Sequence, residues 1–303
     1  MTRFLHWSDL HREMSEAAFP TPSADCPAGS VDAVLIAGDL NARGAHLDDA
    51  MRIQEAWEAP VIMIWGNHET YRSVYQDQRA AELDRLEALR GQGYDIRVLH
   101  QGETFIGDTR ILGATLWTDF DILGQQEKMM FGAEYIMRDY SRVEWREQDG
   151  GLRNLRASDT VAMHASDRAW LLGALATPHV GRTLVMTHHL PAPELLAHEA
   201  KKGGYAPGYV SDMRRDFLGL KIDAWVTGHT HWARRGTLQG AFGPIAFTAN
   251  MMGYEGQGTN FEPYRILDMD QPALGLEPIC IDDPVLRRNC EDLPSADMTN
   301  PQF

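Results

Sequence analysis

The chain alternates short, largely apolar runs with polar segments, and five of the apolar runs end in the same way. The runs cover residues 4–7, 31–37, 61–65, 182–186 and 224–226. Their near-continuous hydrophobicity is typical of strands covered on both faces of a sheet. Charged, amide or imidazole side chains follow directly after each run. Because ligand sites of α/β sheets lie just beyond the carboxyl ends of strands, the pattern predicts a functional site built from these five loops.

Helical periodicity occupies part of the intervening sequence. Three leucines lie near one face of a predicted helix over residues 80–90, and Gly91 is its expected stop. Ser166 is expected to cap the N-terminus of a second helix with an apolar stripe. Further strands are predicted near residues 235–238, 245–248 and 264–268. The order of elements predicts an α/β protein.

A single domain is predicted over residues 1–284, because no internal repeat or linker divides the chain. Residues 119–160 are polar and aromatic and richer in Met than their flanks, so they are interpreted as an insertion or a lid over the sheet. Residues 285–303 are polar, contain prolines and are predicted to form a loosely held C-terminal tail.

Charge and composition narrow the classes of partner. The 303 residues include 28 Lys or Arg and 43 Asp or Glu, giving a formal net charge of −15. This balance argues against an extended nucleic-acid footprint, which needs a basic stripe. A small phosphate ester can still bind where metal ions supply positive charge. The three cysteines have no metal-ligand spacing, and neither a membrane span nor a signal peptide is evident, so a cytoplasmic location and no membrane partner are expected.

The polar residues that follow the five runs form a set suited to metal ions. The set is Asp9, His11, Asp39, Asn67, His68, His188, His229 and His231. Carboxylate and amide oxygens mixed with imidazoles suit borderline divalent ions such as Mn, Fe, Zn or Ni. Eight groups exceed one tetrahedral site but fit two metal ions and one acid–base residue. Ions ~3.5–4 Å apart need a bridging ligand, and Asp39 is the expected bridge because its strand is predicted to lie centrally.

The blocks that carry these residues resemble those of the calcineurin-like metallophosphoesterase superfamily. They are Asp9-x-His11, Gly38-Asp39, Gly66-Asn67-His68-Glu69, His188 and Gly228-His229-x-His231, in the order that the family has them. The resemblance covers residues 8–231 and implies two facing mixed β-sheets flanked by helices, a four-layer α/β/β/α sandwich.

The resemblance also implies a role for each residue. The ligands implied for one ion are Asp9, His11, the bridging Asp39 and His231, and those for the second are Asp39, Asn67, His188 and His229. His68 would face the phosphoryl group and the leaving oxygen, supported by a carboxylate contact. A hydroxide shared by the two metal ions would attack phosphorus in line.

Two smaller resemblances bear on the place of the chain within the superfamily. Residues 38–44 are similar to the GDxxxRG block of Ser/Thr protein phosphatases and diadenosine-tetraphosphatases, which implies a phosphate contact for Arg43 unless it is a solvated loop residue. The first block, however, continues as His11-Arg12 rather than His-Gly. The stretch Asn250-x-x-Gly253-Tyr254 resembles a loop of bacterial members and points to a bacterial or phage hydrolase.

The expected function is therefore dimetal-dependent hydrolysis of a small-molecule phosphodiester or phosphomonoester. A Ser/Thr protein phosphatase or diadenosine-polyphosphate hydrolase is one alternative. A noncatalytic metal-binding interaction module is another, although such modules typically lose ligands and none is missing from this sequence. The sequence leaves the substrate, the native metals and the oligomeric state open.

Overall fold

Two β-sheets face each other in the structure, a computed structural model that describes residues 2–15, 19–196 and 206–280. The strands are β1 (Arg3–Trp7), β2 (Ala33–Ala37), β3 (Val61–Ile64), β4 (Ile96–Val98), β5 (Gly102–Ile106), β6 (Thr109–Ala114), β7 (Glu144–Arg146), β8 (Leu152–Asn154), β9 (Thr183–Thr187), β10 (Ala224–Thr227), β11 (Arg234–Gly240), β12 (Gly243–Ala249) and β13 (Ile266–Asp268). The α-helices are α1 (His46–Trp57), α2 (Tyr75–Gly91), α3 (Gln126–Ile136), α4 (Asp139–Arg142), α5 (Ala157–Ala176) and α6 (Arg214–Phe217). The predicted boundary at residue 284 and the tail at 285–303 lie outside the described residues.

Both large sheets are mixed. The first has the order β13-β1-β2-β3-β4, with β1 to β4 parallel and β13 antiparallel. The second has the order β11-β12-β10-β9-β6-β5, with four parallel central strands and antiparallel strands β11 and β5 at its edges. Strand β2, which precedes Asp39, lies at the centre of the first sheet, as predicted.

Apolar side chains fill the space between the sheets and cover both outer faces. Phe4, Leu35 and Ile62 of the first sheet are buried in the same cluster as Leu184 and Val226 of the second. Helices α1 and α2 pack on the outer face of the first sheet, and α5 and α6 pack on that of the second. Covering both faces explains why the central strands are almost continuously apolar. The predicted fold of two facing sheets flanked by helices is confirmed.

Some element boundaries differ from the prediction. Helix α2 begins at Tyr75 and includes Gly91, so it is longer than the predicted 80–90 segment. Helix α5 begins at Ala157, and the prediction that Ser166 caps a helix is wrong, because Ser166 lies within α5. At the N-terminus of α5, the Asp159 carboxylate accepts a hydrogen bond from the backbone N–H of Arg156 at 2.8 Å. An acidic residue inside the first turn therefore caps this helix.

Residues 119–160 hold α3, α4, the β7–β8 hairpin and the start of α5. Phe120, Tyr140 and Val143 of this segment are buried in one cluster with Tyr71, so the segment packs onto the loop that follows β3. Its interpretation as a lid stays a prediction. Among the described residues, no helix has both the length and the hydrophobicity to cross a bilayer.

Candidate metal centre

The loops after β1, β2, β3, β9 and β10 converge at one edge of the two sheets. They bring together all eight residues predicted for the site, and seven of these are buried. The eighth, His231, is partly exposed. Strand ends from both sheets therefore contribute to one polar cluster beneath the surface.

Asp9, His11 and His231 form a first potential ligand group. The Nε2 atoms of the two histidines lie 2.8 Å apart, and Asp9 Oδ1 lies 3.3 Å from His231 Nε2 and 3.9 Å from His11 Nε2. One donor atom from each residue falls within 4.8 Å of the others. This spacing suits donors that converge on a single ion.

Asp39, His188 and His229 form a second group with the same mutual spacing, within 4.8 Å. Asn67 joins it, because its Oδ1 lies 3.0 Å from His188 Nε2. The His229 Nε2 atom is buried and has no hydrogen-bond partner among the described residues. A buried acceptor without a partner is costly, and a metal ion would satisfy it.

Asp39 lies between the two groups. Its Oδ1 accepts the backbone N–H of His68 at 2.8 Å. Its Oδ2 lies 3.7 Å from His11 Nε2 and 3.5 Å from His188 Nε2. The same oxygen lies 4.0 Å from His68 Nε2, and His11, Asp39 and His68 form a third group of possible ligands.

Two histidines have their second ring nitrogen held by an oxygen acceptor. His188 Nδ1 lies 2.8 Å from the carbonyl oxygen of Ala37, and His231 Nδ1 lies 2.8 Å from Gln257 Oε1. Such contacts keep the proton on Nδ1 and leave Nε2 as the metal-binding atom. Together with two carboxylates and an amide oxygen, these imidazoles fit divalent ions of borderline character.

The backbone around the ligands is held in an uncommon conformation. Five non-glycine residues of the site have left-handed φ angles between 44° and 75°, namely Asp9, His11, Asp39, His229 and His231. Such conformations cost on the order of 1–3 kcal/mol each and cluster at functional sites. Gly66 makes the close approach possible, since a Cβ there would lie 2.1 Å from Asp39 Oδ1.

Glu69 ties two of the loops together. This buried carboxylate accepts the backbone N–H groups of Asp39 at 3.1 Å, Leu40 at 2.8 Å and Gly66 at 2.8 Å. The loops after β2 and β3 therefore share one acceptor, which fixes Asp39 relative to Asn67. Burial, followed by the nearby charge of Asp39, raises the pKa of Glu69 to about 7.

Opposite charges within the site shift each other's pKa values. Burial opposes ionisation of Asp39, but the positive charges of His188 and His68 outweigh it and hold the pKa of Asp39 well below its usual value. Burial likewise disfavours protonation of His188, yet the Asp39 carboxylate raises the pKa of His188 to about 10. The Asp39 carboxylate is therefore ionised at neutral pH, the state in which a carboxylate binds a cation.

Comparison with known proteins agrees with this geometry. A sequence model of the calcineurin-like phosphoesterases matches residues 2–233. This chain belongs to the calcineurin-like phosphoesterase family. The predicted family is confirmed, and the protein is a metal-dependent phosphoesterase.

Two similar proteins lie at low sequence identity. This chain is 22% identical over 222 residues to the uncharacterized protein L509 of Acanthamoeba polyphaga mimivirus, and the match covers 70% of this chain and 74% of the viral one. The crystal structure of the phosphopantetheinyl hydrolase PptH from Mycobacterium tuberculosis superposes with a TM-score of 0.55 at 14% identity, covering 85% of this chain and 94% of that one. The second likeness establishes the shared fold.

In this phosphoesterase, His68 has a carboxylate contact of the kind that the family resemblance implies. Glu13 Oε1 lies 2.7 Å from His68 Nδ1 and 3.4 Å from His11 Nδ1. The His68 ring stacks on Tyr71 with centroids 4.0 Å apart, and its Nε2 lies 3.3 Å from the Tyr254 hydroxyl. Burial lowers the pKa of His68, but the charges of Asp39 and Glu13 outweigh this and raise it to about 9.

A cavity of about 660 Å³ opens above the site. Five of the predicted site residues line it, namely Asp39, Asn67, His68, His229 and His231. Its other lining residues include Tyr71, Met137, Arg138, Asp139, Tyr209, Trp232 and Tyr254. Arg43 is exposed and is not a lining residue of this cavity, so its phosphate contact stays a prediction. Arg138, which the sequence did not single out, lines the cavity and forms no side-chain ion pair within the described part of the chain.

Proposed function

We propose that this phosphoesterase hydrolyses a small-molecule phosphodiester or phosphomonoester with two divalent metal ions bound at the strand ends. The observation that carries the proposal is the position of Asp39, whose Oδ2 lies within 3.7 Å of a histidine Nε2 from each potential ligand group. A single oxygen in that position is what a bridging ligand requires.

The proposed ligand sets are those that the family resemblance implies. Asp9, His11, Asp39 and His231 would hold one ion, and Asp39, Asn67, His188 and His229 the other. Mn, Fe, Zn and Ni all suit these donors. Ions bound there would lower the pKa of water and neutralise charge on the phosphoryl oxygens.

His68 is proposed as the proton donor to the leaving oxygen. Its Nδ1 lies 2.7 Å from Glu13 Oε1, so an N–H at Nδ1 donates to that carboxylate and the Nε2 edge faces the cavity. A protonated imidazole in this orientation presents its Nε2–H to a substrate in the cavity. Stacking on Tyr71 holds the ring in place.

The cavity supports a small substrate. Its volume of about 660 Å³ lies within the range of small-molecule sites, roughly 300–1,000 Å³. Tyrosine, tryptophan and methionine side chains are among its lining residues, and these pack well against the organic portion of an ester. The acidic composition agrees with a small ligand rather than a nucleic acid. A cytoplasmic location stays a prediction.

A panel of esters tests the proposal. Phosphomonoesters, diesters and triesters are assayed with metal-free protein to which Mn, Fe, Zn or Ni is added, with phosphopeptides as a parallel substrate class. We expect metal-dependent turnover of a small mono- or diester and none of phosphopeptides. Turnover of phosphopeptides would indicate a protein phosphatase. Binding of two metal ions without turnover of any ester would indicate a noncatalytic module.

A further inference from the structure

Two consecutive side-chain hydrogen bonds connect segment 119–160 to the proposed metal ligand Asn67. The Asn67 amide donates from Nδ2 to the Tyr71 hydroxyl at 3.2 Å. The Tyr71 hydroxyl donates to Asp139 Oδ1 at 3.3 Å. All three residues are almost completely buried.

The Tyr71 hydroxyl fixes which group donates in each of these hydrogen bonds. A tyrosine hydroxyl has a single hydrogen, and here that hydrogen points to Asp139. The oxygen can then only accept a hydrogen bond from its other neighbour. Asn67 must therefore present its NH₂ group to Tyr71, and its Oδ1 faces the opposite way, 3.0 Å from His188 Nε2 in the second ligand group.

We propose that Tyr71 and Asp139 are positioning residues that fix the Asn67 amide with its oxygen towards the second metal ion. The inference rests on the metal site of the proposed function. An asparagine amide is nearly symmetric in shape, so packing alone does not select one orientation. A flipped amide would present NH₂ to the metal, and NH₂ cannot act as a ligand.

Helix α4 keeps Tyr71 in position. Asp139 is the first residue of α4 and Arg142 is the last. The backbone carbonyl of Arg142 accepts a hydrogen bond from the backbone N–H of Arg72 at 2.6 Å. The Arg142 guanidinium also lies over the Tyr71 ring, 5.7 Å from its centroid. Part of segment 119–160 thus contacts the loop that carries Asn67, in addition to lining the cavity.

The Y71F variant tests the proposal, because it removes the hydroxyl and keeps the stacked ring. Titration of Mn into metal-free protein, followed by calorimetry, reports the affinities of the two sites separately. Loss of a contact that orients a metal ligand typically costs 10–100-fold in affinity. We expect about that loss at one site and little change at the other. The D139A variant should act in the same direction, since it frees the hydroxyl to rotate.

Two comparisons separate positioning from general disturbance. Y94F removes a tyrosine hydroxyl that donates to Glu55 and lies outside the cavity, and it should leave both Mn affinities unchanged. In the N67D background both oxygens of the side chain are equivalent, so Y71F should cost much less than it does beside Asn67.

The proposal is overturned if Y71F leaves both affinities unchanged, or if it costs the same in the N67D background. Failure of the unaltered protein to bind two Mn ions is a different result and would overturn the metal assignment itself.

Discussion

Asp39 uses its two oxygens differently. Oδ1 accepts the His68 backbone N–H, while Oδ2 faces histidines of both ligand groups. Asp39→Asn replaces a charged oxygen with neutral amide chemistry, so we expect metal content to fall from close to two ions per chain towards one or none. Elemental analysis of the purified proteins measures this. Asp48→Asn, at an exposed surface ion pair with Arg85, is the control and should retain both ions. Full occupancy in Asp39→Asn would refute the bridge.

Of the eight predicted residues that follow the strands, His68 is the one placed outside the metal ligands. General acids contribute roughly 10²–10⁴-fold, so His68→Ala should lose about that factor in kcat on esters with poor leaving groups. Nitrophenolate needs little protonation, so nitrophenyl esters should lose less. Glu13→Gln should show a weaker form of the same pattern, because Glu13 holds the imidazole at 2.7 Å.

The metal content of both variants should stay near that of the unaltered protein. Loss of metal from His68→Ala would identify His68 as a ligand or structural support, an outcome made relevant by its place beside His11 and Asp39. Equal losses of kcat on nitrophenyl esters and on esters with poor leaving groups would mean that His68 only stabilises charge.

Arg43 and Arg138 are the two candidates for the contact with an anionic substrate. Arg138 lines the cavity, whereas Arg43 is exposed and does not. A hydrogen bond to a charged group contributes about 1.5–3 kcal/mol. We expect Arg138→Ala to lose about 10- to 100-fold in kcat/KM on anionic esters and little on neutral triesters. Arg43→Ala is assayed alongside. A loss of kcat/KM confined to anionic esters in Arg43→Ala would assign the contact to Arg43. Equal losses on anionic esters and neutral triesters would exclude a phosphate contact for the substituted arginine.

At the scale of elements, the ligands could be predicted because each follows a recognisable strand. Strand β6 escaped prediction although it is an internal strand of the second sheet, between β9 and β5. Its sequence, TRILGA, begins with two polar residues and contains Gly113, where a Cβ would lie 2.6 Å from Leu99 Cβ. The apolar pattern is short there because close packing between the sheets requires a glycine.

The supporting residues escaped prediction for a different reason. Glu13 lies in a polar run two residues after His11, and Asp139 lies in a segment without clear periodicity. Tertiary contacts over 55 and 68 residues of sequence give them their roles. A carboxylate close to a proposed ligand along the chain was the one available signal for Glu13. For Tyr71 and Asp139, no local pattern indicated that they meet.

Helix α2 is joined to α1 and to the residue after strand β3 through one buried carboxylate. Glu82 accepts hydrogen bonds from His46 and Trp65 through Oε2, at 2.7 and 2.6 Å, and from His100 through Oε1 at 2.6 Å. Burial opposes its ionisation, but the contacts with His100 and His46 outweigh this and lower the pKa of Glu82 to about 2. A depressed carboxylate pKa stabilises the fold above the ordinary value near 4.5, and this stabilisation is lost as the pH falls towards 2.

Glu82→Gln should therefore lower the free energy of unfolding at pH 7 by roughly 1–3 kcal/mol, because one amide cannot accept from all three donors. The difference from the unaltered protein should narrow as the pH falls from 4.5 towards 2. Urea unfolding at several pH values measures both effects. Glu87→Gln, at an exposed position of the same helix, should stay within about 0.5 kcal/mol. A pH-independent difference would contradict the role assigned to the Glu82 charge.

At the scale of the whole molecule, the proposed ligands are divided between the two sheets. Asp9, His11, Asp39 and Asn67 follow strands of the first sheet, and His188, His229 and His231 follow strands of the second. Each proposed ion takes ligands from both sheets. Bound metal would therefore connect the two halves of the sandwich at the edge where several loops adopt left-handed backbone conformations.

Metal removal should consequently destabilise the entire fold rather than a single loop. An ion that binds only the folded state at 1,000 times its dissociation constant stabilises it by about 4 kcal/mol. For a chain of this size we expect chelation to lower the midpoint of thermal unfolding by roughly 8–16 °C. Scanning calorimetry of chelated and metal-loaded protein measures the shift, and Asp39→Asn should show a much smaller one. Equal midpoints with and without two bound ions would mean that the metal centre does not hold the sheets together.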